Sequence, residues 1–256
     1  MAGARSKAAI DREFMMLLEA GSAESRTHIE QMSMKMSRLL FATFPEVVVD
    51  ADALDNVPFI ARLRTIGALL RSTYGSEVPS GPWVSDTVRG WLAMATASDD
   101  SLSLDDLVLR LMPYAHDHHF AVREWAWLAI RPRVVANPLA ALASLKPASG
   151  SSNPLERRFA VEATRPRSVW GGHVPLFKEQ PEVAGPFLDA LQCEPDPYVR
   201  RSVGNWLRDA GRTRPDWTAE VTDGWCRQCS CKSTAWIARR ARVGLPSSFE
   251  LRLPLE

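Results

Sequence analysis

The sequence lacks the patterns that mark a membrane span, a secreted chain or a β-sheet. No run approaches the ~18 consecutive apolar residues of a membrane-spanning helix. No segment alternates apolar and polar residues with a period of two, and no pair of Val/Ile-rich segments flanks an Asn-Gly turn. The first basic residues meet Asp11 and Glu13 before any apolar stretch develops, unlike a secretory signal peptide. These absences favour a cytoplasmic protein without strands and without a membrane partner.

Cysteine is scarce and unevenly placed. The 256 residues contain four cysteines: Cys193 stands alone, whereas Cys226, Cys229 and Cys231 lie close together. Three neighbouring thiols fit a tetrahedral metal site only if a fourth ligand joins them, usually from a second paired set. Because Cys193 is distant in sequence and no histidine lies near the cluster, we expect reduced cysteines on or beside a helix, with no metal and no cofactor.

Positive charge is scarce before residue 110 and concentrated after it. Residues 1–109 contain 10 Lys and Arg against 15 Asp and Glu, whereas residues 110–245 contain 20 against 13. Of those 20 basic residues, 17 are arginine, whose planar fork binds phosphate with two parallel hydrogen bonds. The uneven distribution predicts a polyanionic partner for the second part of the chain. The alternative is a solvated surface with some ion pairs.

In several segments the apolar residues are spaced three or four positions apart, as in an amphipathic helix. Phe59, Leu63, Ile66 and Leu70 share one face of a predicted helix. A second helix is predicted from Ile29, Met32, Met36 and Leu39. Asn-Pro at 153–154 and Asp-Pro at 196–197 each place a capping residue before a proline, which is typical of a helix start.

A local pattern recurs five times along the chain. Its copies are SDTVRGWL (85–92), HFAVREWA (119–126), NPLERRFA (153–160), DPYVRRSV (196–203) and TAWIARRA (234–241). Successive copies are 34 to 43 residues apart, a period typical of helical hairpins stacked into a HEAT-like solenoid. We therefore predict an all-α fold with a concave face lined by the recurring arginines. One domain is expected over 1–256: an N-terminal helical cap (1–80), repeats (81–245) and a tail (246–256).

Three consecutive repeats each carry one carboxylate among arginines, namely Glu124, Glu162 and Asp209. Glu162 and Arg165 are three residues apart, and Pro166 is expected to end their helix. Glu124 is followed by an Arg-Pro-Arg segment (131–133), so both repeats are predicted to end their helices alike. Ordinary ion pairs on a helix surface are the alternative interpretation of these carboxylates.

The segment RRFAVEATRPRSVW, followed by DPYVRRSVGNWLRDAGRTRPDW and TAWIARRAR, resembles the AlkC branch of the AlkC/AlkD DNA alkylation-repair glycosylases. HFAVREWAWLAIRP fits the same branch. The resemblance implies HEAT-like repeats that wrap duplex DNA and hydrolyse the N-glycosidic bond of cationic N-alkylated bases such as 3-methyladenine, without a metal. Many members carry an immunoglobulin-like domain after the repeats, and we expect this chain to lack one.

The resemblance also implies roles for individual residues. Its catalytic carboxylates fall on Asp209, Glu124 and Glu162, and Trp170, Trp127 and Trp125 are candidates to stack on the exposed sugar or base. The candidate DNA contacts are Arg123, Arg131, Arg133, Arg158, Arg165, Arg167, Arg200, Arg201, Arg212 and Arg240. The expected protein is a nucleoid-associated monomer whose partner is double-stranded DNA with alkylated bases. The alternatives are a non-catalytic protein that binds distorted or branched DNA and, less favoured by the arginine excess, a protein-binding scaffold.

Overall fold

The computed structural model describes residues 3–249, and within that range every regular element is a helix. The chain divides into two compact units, residues 1–129 and 130–256, which are called the first and second unit below. Within the described range no helix combines the length and the apolar character that crossing a bilayer requires. The all-α prediction is confirmed. The prediction of a single domain with an N-terminal cap stays a prediction, and most of the predicted tail, from residue 250, lies outside the described residues.

Among the described residues of the first unit are seven α-helices and the first part of an eighth. They are α1 (Arg12–Glu19), α2 (His28–Ser33), α3 (Met36–Thr43), α4 (Ala51–Asn56), α5 (Phe59–Tyr74), α6 (Asp86–Ala97), α7 (Leu104–Ala115) and α8 (Phe120–Ala136). Helix α5 packs against α6, and α6 against α7. Leu63, Ile66 and Leu70 of α5 are fully buried, which confirms the predicted helix and its apolar face.

The second unit holds the remaining helices and most of the basic residues. They are α9 (Pro138–Ser149), α10 (Pro154–Thr164), α11 (Pro175–Glu179), α12 (Gly185–Leu188), α13 (Pro197–Gly211), α14 (Pro215–Gln228) and α15 (Lys232–Ala241). Helix α10 packs against α9 and α13, and α13 packs against α14 and α15. The helices α10, α13 and α15, which carry three copies of the repeated pattern, therefore follow one another as neighbours.

Four copies of the repeated pattern lie at the start of a helix, as predicted for those at 153–160 and 196–203, whereas the copy at 234–241 extends to the end of α15. Asn153 accepts a hydrogen bond from the Leu155 amide at 2.9 Å, and Asp196 accepts one from the Tyr198 amide at 2.8 Å. Each cap satisfies an amide that has no partner within its own helix. A proline follows each cap at the first helical position, where its missing N–H costs nothing.

The recurring arginine of the pattern stabilises the turn before its own helix. Arg89, Arg123 and Arg157 each donate from one guanidinium nitrogen to the carbonyls five and six residues earlier, at 2.7 to 3.0 Å. Arg89 and Arg157 also form ion pairs with Asp117 and Glu194. Arg123, which was predicted to contact DNA, thus uses one guanidinium nitrogen to hold carbonyls of its own turn, and its contact with DNA stays a prediction.

The predicted helix through Ile29 and Leu39 is instead two helices. Met34 has an extended backbone between α2 and α3, and Met32 is 44% exposed. The start of α3 is capped by carboxylates from elsewhere in the chain: Lys35 donates its amide to Glu19 at 3.0 Å. Such distant caps cannot be found in the local apolar spacing, which explains the error.

Helix α8 also departs from the prediction, because it continues past Pro132 to Ala136. Pro132 has no N–H to give the Leu128 carbonyl, which receives a long 3.5 Å contact from Arg64 instead. The second helix end was predicted correctly, since α10 ends at Thr164, two residues before Pro166. The two Arg-Pro-Arg segments are therefore not structurally equivalent.

Candidate nucleic-acid interface

The loop after α10 is held closed at both ends. Pro166 ends the helix, and the Val174 amide donates to the Pro166 carbonyl at 3.0 Å. Arg131 lies beneath this loop, donating to the Ala163 carbonyl at 2.8 Å and to the Gly172 carbonyl at 2.9 Å. The loop therefore has a defined path, and it carries Arg165, Arg167 and Trp170.

Arg165 joins two of the predicted carboxylates. Its guanidinium lies 2.7 and 2.9 Å from the same carboxylate oxygen of Asp209 on α13, and 3.1 Å from Glu162 on α10. Glu162 also accepts a 2.6 Å hydrogen bond from the Ser202 hydroxyl. Arg167 donates to the backbone carbonyl of Asp209 at 3.1 Å. The structure thus brings Asp209 of α13 together with Glu162, Arg165 and Arg167, a segment that lies more than 40 residues earlier in the chain.

The two carboxylates differ in their electrostatics. Burial raises the pKa of Asp209 above its ordinary value, because desolvation outweighs the attraction of Arg165. Burial acts on Glu162 in the same direction, but Arg165, Arg158 and the Ser202 hydroxyl outweigh it and hold the pKa of Glu162 below its ordinary value. The arginines around Asp209 therefore do not hold its pKa below the ordinary value, whereas those around Glu162 do.

Asp209 lies in an open cleft of about 420 Å³ within the second unit. The cleft is lined by Arg165, Arg167, Ser168, Val169, His173, Asn205, Arg208, Asp209, Arg212 and Arg240. Five of these ten residues are arginines, so the cleft is strongly cationic and suits an anionic ligand such as a phosphodiester. Glu162 is not among the residues that line the cleft, but it contacts Arg165, which is.

Sequence reasoning missed His173, Asn205 and Arg208 in this cleft. Asn205 accepts a hydrogen bond from Arg240 at 2.9 Å and so links α13 to α15. A signal was available, because Asn205 and Asp209 are four residues apart on one helix and therefore share a face. His173 lies on the loop, where no periodicity predicts the direction of a side chain.

Several arginines predicted to contact DNA are engaged inside the protein. Arg131 is fully buried against the loop, and its burial lowers its pKa to about 10. Arg158 is 7% exposed and stacks on the Tyr198 ring at 4.0 Å, and Arg200 lies 4.9 Å from the Trp236 ring. Contact of Arg131 and Arg158 with phosphate is therefore corrected to a structural role, because their guanidinium groups are covered. Arg201, by contrast, is exposed on α13, and Arg133 is half-buried in the last turn of α8.

The three predicted stacking tryptophans have different environments. Trp170 is 43% exposed on the loop. Trp125 and Trp127 are 2% and 4% exposed, so neither ring offers a face for stacking in this structure. Trp125 packs directly over Gly90 of α6, where an added Cβ would lie 1.7 Å from the indole ring. Both buried rings correct the sequence-based expectation, since the apolar spacing of α8 places them in the core.

Glu124 lies in the first unit and is oriented by its neighbour on the same helix. Its carboxylate accepts a 2.8 Å hydrogen bond from the indole N–H of Trp127. That bond fixes the carboxylate along α8 and accounts for the buried polar edge of the Trp127 ring. Arg131, on the same helix, donates to the backbone carbonyls of Gly172 and Ala163.

Comparisons with known proteins agree on the architecture. No family model matches the chain. Uncharacterized protein YhaZ of Bacillus subtilis is 34% identical over 113 residues, which are 44% of this chain and 31% of YhaZ.

Solved structures match over a greater length. The alkylpurine DNA glycosylase AlkC of Pseudomonas fluorescens, bound to DNA containing an abasic site analog, matches with a TM-score of 0.62 and 22% identity. The match covers 94% of this chain but only 65% of AlkC. AlkD2 of Streptococcus mutans matches with a TM-score of 0.57 and 23% identity, over 83% of this chain and 98% of AlkD2. The chain therefore has the helical-repeat fold of the AlkC/AlkD type.

Proposed function

We propose that this protein is a DNA glycosylase that hydrolyses the N-glycosidic bond of cationic N-alkylated bases in duplex DNA. The observation that carries the proposal is Asp209, a largely buried carboxylate on the wall of an arginine-lined cleft. The fold it shares with AlkC, whose solved structure contains DNA with an abasic site analog, supports the proposal. Acidic groups inside a phosphate-binding surface oppose binding of the anion, so their presence there favours a chemical role.

The chemistry needs a carboxylate more than it needs an acid. An alkylated base such as 3-methyladenine carries positive charge and departs as a neutral molecule, taking the electron pair of the N-glycosidic bond. Positive charge then develops on the deoxyribose, where a nearby carboxylate stabilises it. Water forms the new bond to the anomeric carbon and releases a proton, for which Asp209 with its raised pKa is a suitable acceptor.

The neighbouring residues have distinct proposed roles. Arg165 positions Asp209 through two guanidinium nitrogens. Glu162 contacts the same guanidinium and so acts through Arg165, not on the sugar. Arg212 and Arg240 line the cleft and are proposed to hold the phosphates that flank the lesion. Trp170 is proposed to stack on the exposed sugar or cationic base, an attraction worth roughly 0.5–2 kcal/mol.

Glu124 keeps a proposed catalytic role that rests on the family resemblance. The bond from Trp127 fixes its carboxylate before any ligand binds, as positioned catalytic groups require. Replacing Glu124 with glutamine preserves the acceptor oxygen for Trp127 while it removes the charge. Loss of base release with unchanged DNA affinity is expected for that variant, and full activity would remove Glu124 from the mechanism.

A second candidate function is binding of distorted DNA without chemistry. One observation favours it: the ion pair with Arg165 partly neutralises the charge that Asp209 offers to a developing cation. Under this alternative, substitutions of Arg165 or Arg167 weaken binding and reduce its salt dependence, whereas Asp209→Asn has no consequence.

The experiment that separates the two is base release from N-methylated duplex DNA, measured beside a gel-shift assay at several salt concentrations. Under the glycosylase proposal, Asp209→Asn abolishes release and retains binding. Binding without any release by the wild-type protein would favour the second function. Absence of both would refute both.

A further inference from the structure

Three of the four cysteines converge in the second unit. The Sγ atoms of Cys193, Cys229 and Cys231 all lie within 4.8 Å of one another. Cys193 precedes α13, and the other two flank the turn between α14 and α15. Cys193 is distant in sequence from the other two, which is why the sequence favoured isolated reduced thiols. In the folded chain the sulfur of Cys193 lies beside the other two.

The arrangement suits a thiophilic cation. Zinc bound by thiolates at ~2.3 Å in a tetrahedron separates its sulfur ligands by about 3.8 Å, within the spacing found here. Cys193 and Cys229 are in disulfide contact in this structure, yet their Cα atoms are 7.2 Å apart, beyond the ~4.4–6.8 Å typical of disulfides. Two thiolates that share a metal ion are not restricted to that Cα range.

Thr234 lies beside two cysteines of the cluster. Cys231 is the capping residue of the ten-residue helix α15 and accepts from the Thr234 amide at 3.4 Å. The Thr234 hydroxyl lies 3.1 Å from Cys231 and 3.4 Å from Cys193, so one buried residue contacts two of the three sulfurs. Cys226, whose pKa is raised by burial, is not part of the cluster.

We propose that Cys193, Cys229 and Cys231 form a site for a soft divalent cation, with zinc as the expected ion and water as the fourth ligand that completes the tetrahedron. Binding displaces the thiol protons to solvent, as metal binding by cysteine requires. The bound ion ties the segment before α13 to the turn before α15. Because α13 carries Asp209 and α15 carries Arg240, the site stabilises the helices that form two sides of the arginine-lined cleft.

The test uses the full chain, purified under reducing conditions without added chelator. Metal content is measured by mass spectrometry, and Co²⁺ is titrated into metal-free protein while thiolate-to-cobalt charge-transfer absorption is followed. About one zinc per chain is expected, together with that absorption band and a higher melting temperature when zinc is restored. Cys193→Ser and Cys231→Ser should each lose the band, whereas Cys226→Ser, the matched control, should keep it.

Several results would overturn the proposal. The reduced wild-type protein could bind neither zinc nor Co²⁺. The same band could persist in both Cys193→Ser and Cys231→Ser. Intact-mass analysis could also show a Cys193–Cys229 disulfide that survives the reductant, in which case the cluster is a covalent link and not a metal site. Because the wild-type measurement needs no variant, misfolding of a variant does not leave the question open.

Discussion

The opposite pKa directions of Asp209 and Glu162 predict opposite consequences for their neutral amide variants. Asp209→Asn should reduce base release by a factor on the order of 10²–10³, the loss typical when one electrostatic contact to a transition state is removed. The same change should alter the free energy of unfolding by no more than about 1 kcal/mol. Glu162→Gln should instead destabilise the fold.

The magnitudes follow from the direction of each pKa shift. The raised pKa of Asp209 gives stability below its unfolded pKa, and that stability is lost as pH rises through the folded pKa. Above the folded pKa, ionisation of Asp209 therefore contributes no stability that Asp209→Asn could remove. The lowered pKa of Glu162 gives stability above its unfolded pKa, and it is lost only as pH falls through the folded pKa. Glu162→Gln at pH 7 should therefore cost about 1–3 kcal/mol, because the amide loses the negative charge that Arg165, Arg158 and the Ser202 hydroxyl stabilise.

The assays are chemical denaturation at pH 7 for both variants and single-turnover base release from N-methylated duplex. Asp209→Asn should lose base release by a factor on the order of 10²–10³ while its free energy of unfolding stays within about 1 kcal/mol of the wild-type value, a combination that a purely structural ion pair does not produce. The reasoning is refuted if Asp209→Asn is strongly destabilised, or if it releases bases at the wild-type rate.

The remaining predictions concern phosphate binding, pH and packing. Arg212→Ala should weaken DNA binding and lower the slope of log K against log salt by about 1, whereas Arg123→Ala should lower stability and leave that slope unchanged. Base release should fall as pH drops through the pKa of Asp209, which burial raises, because protonation removes the stabilising charge. Gly90→Ala should destabilise the fold by about 1–3 kcal/mol in denaturant unfolding, since its Cβ would overlap a buried indole ring. Gly224→Ala on α14 is the contrasting case, because the added Cβ would lie 3.9 Å from the Arg227 guanidinium and meet no closer atom. This variant should leave the free energy of unfolding unchanged or raise it by up to about 1 kcal/mol.

Each of these predictions has a contradicting outcome. Equal salt slopes for Arg212→Ala and the wild-type protein would place the phosphates outside the cleft. A rate of base release that stays constant as pH falls would show that Asp209 need not be ionised. Equal free energies of unfolding for Gly90→Ala and Gly224→Ala would show that the close contact between Gly90 and Trp125 does not restrict the size of the residue at position 90.

The sequence predicted the helices whose signals are local. Asn153-Pro154 and Asp196-Pro197 are caps that act within three residues, so both helix starts could be predicted correctly. The break between α2 and α3 could not, because Glu19 caps it from another segment. The continuation of α8 through Pro132 was likewise not evident, since nothing local marks a proline that a helix tolerates.

The candidate site was also predicted only in part, because some of its contacts join residues that are distant in sequence. Spacing and resemblance together selected Glu162, Arg165 and Asp209, which the fold brings into contact. Composition could not separate arginines that line the cleft from those that are buried, as Arg131 and Arg158 are, because burial depends on neighbours from distant segments. The convergence of Cys193 with the later cysteines was hidden for that reason too.

The most direct test of the central claim is chromatography of the bases released when the purified protein is incubated with N-methylated duplex DNA. We predict that a cationic methylated base such as 3-methyladenine is freed by the wild-type protein and is not freed by Asp209→Asn that still binds the duplex. Release of no base by wild-type protein that binds DNA would contradict the glycosylase proposal and leave the arginine-lined cleft as a binding surface.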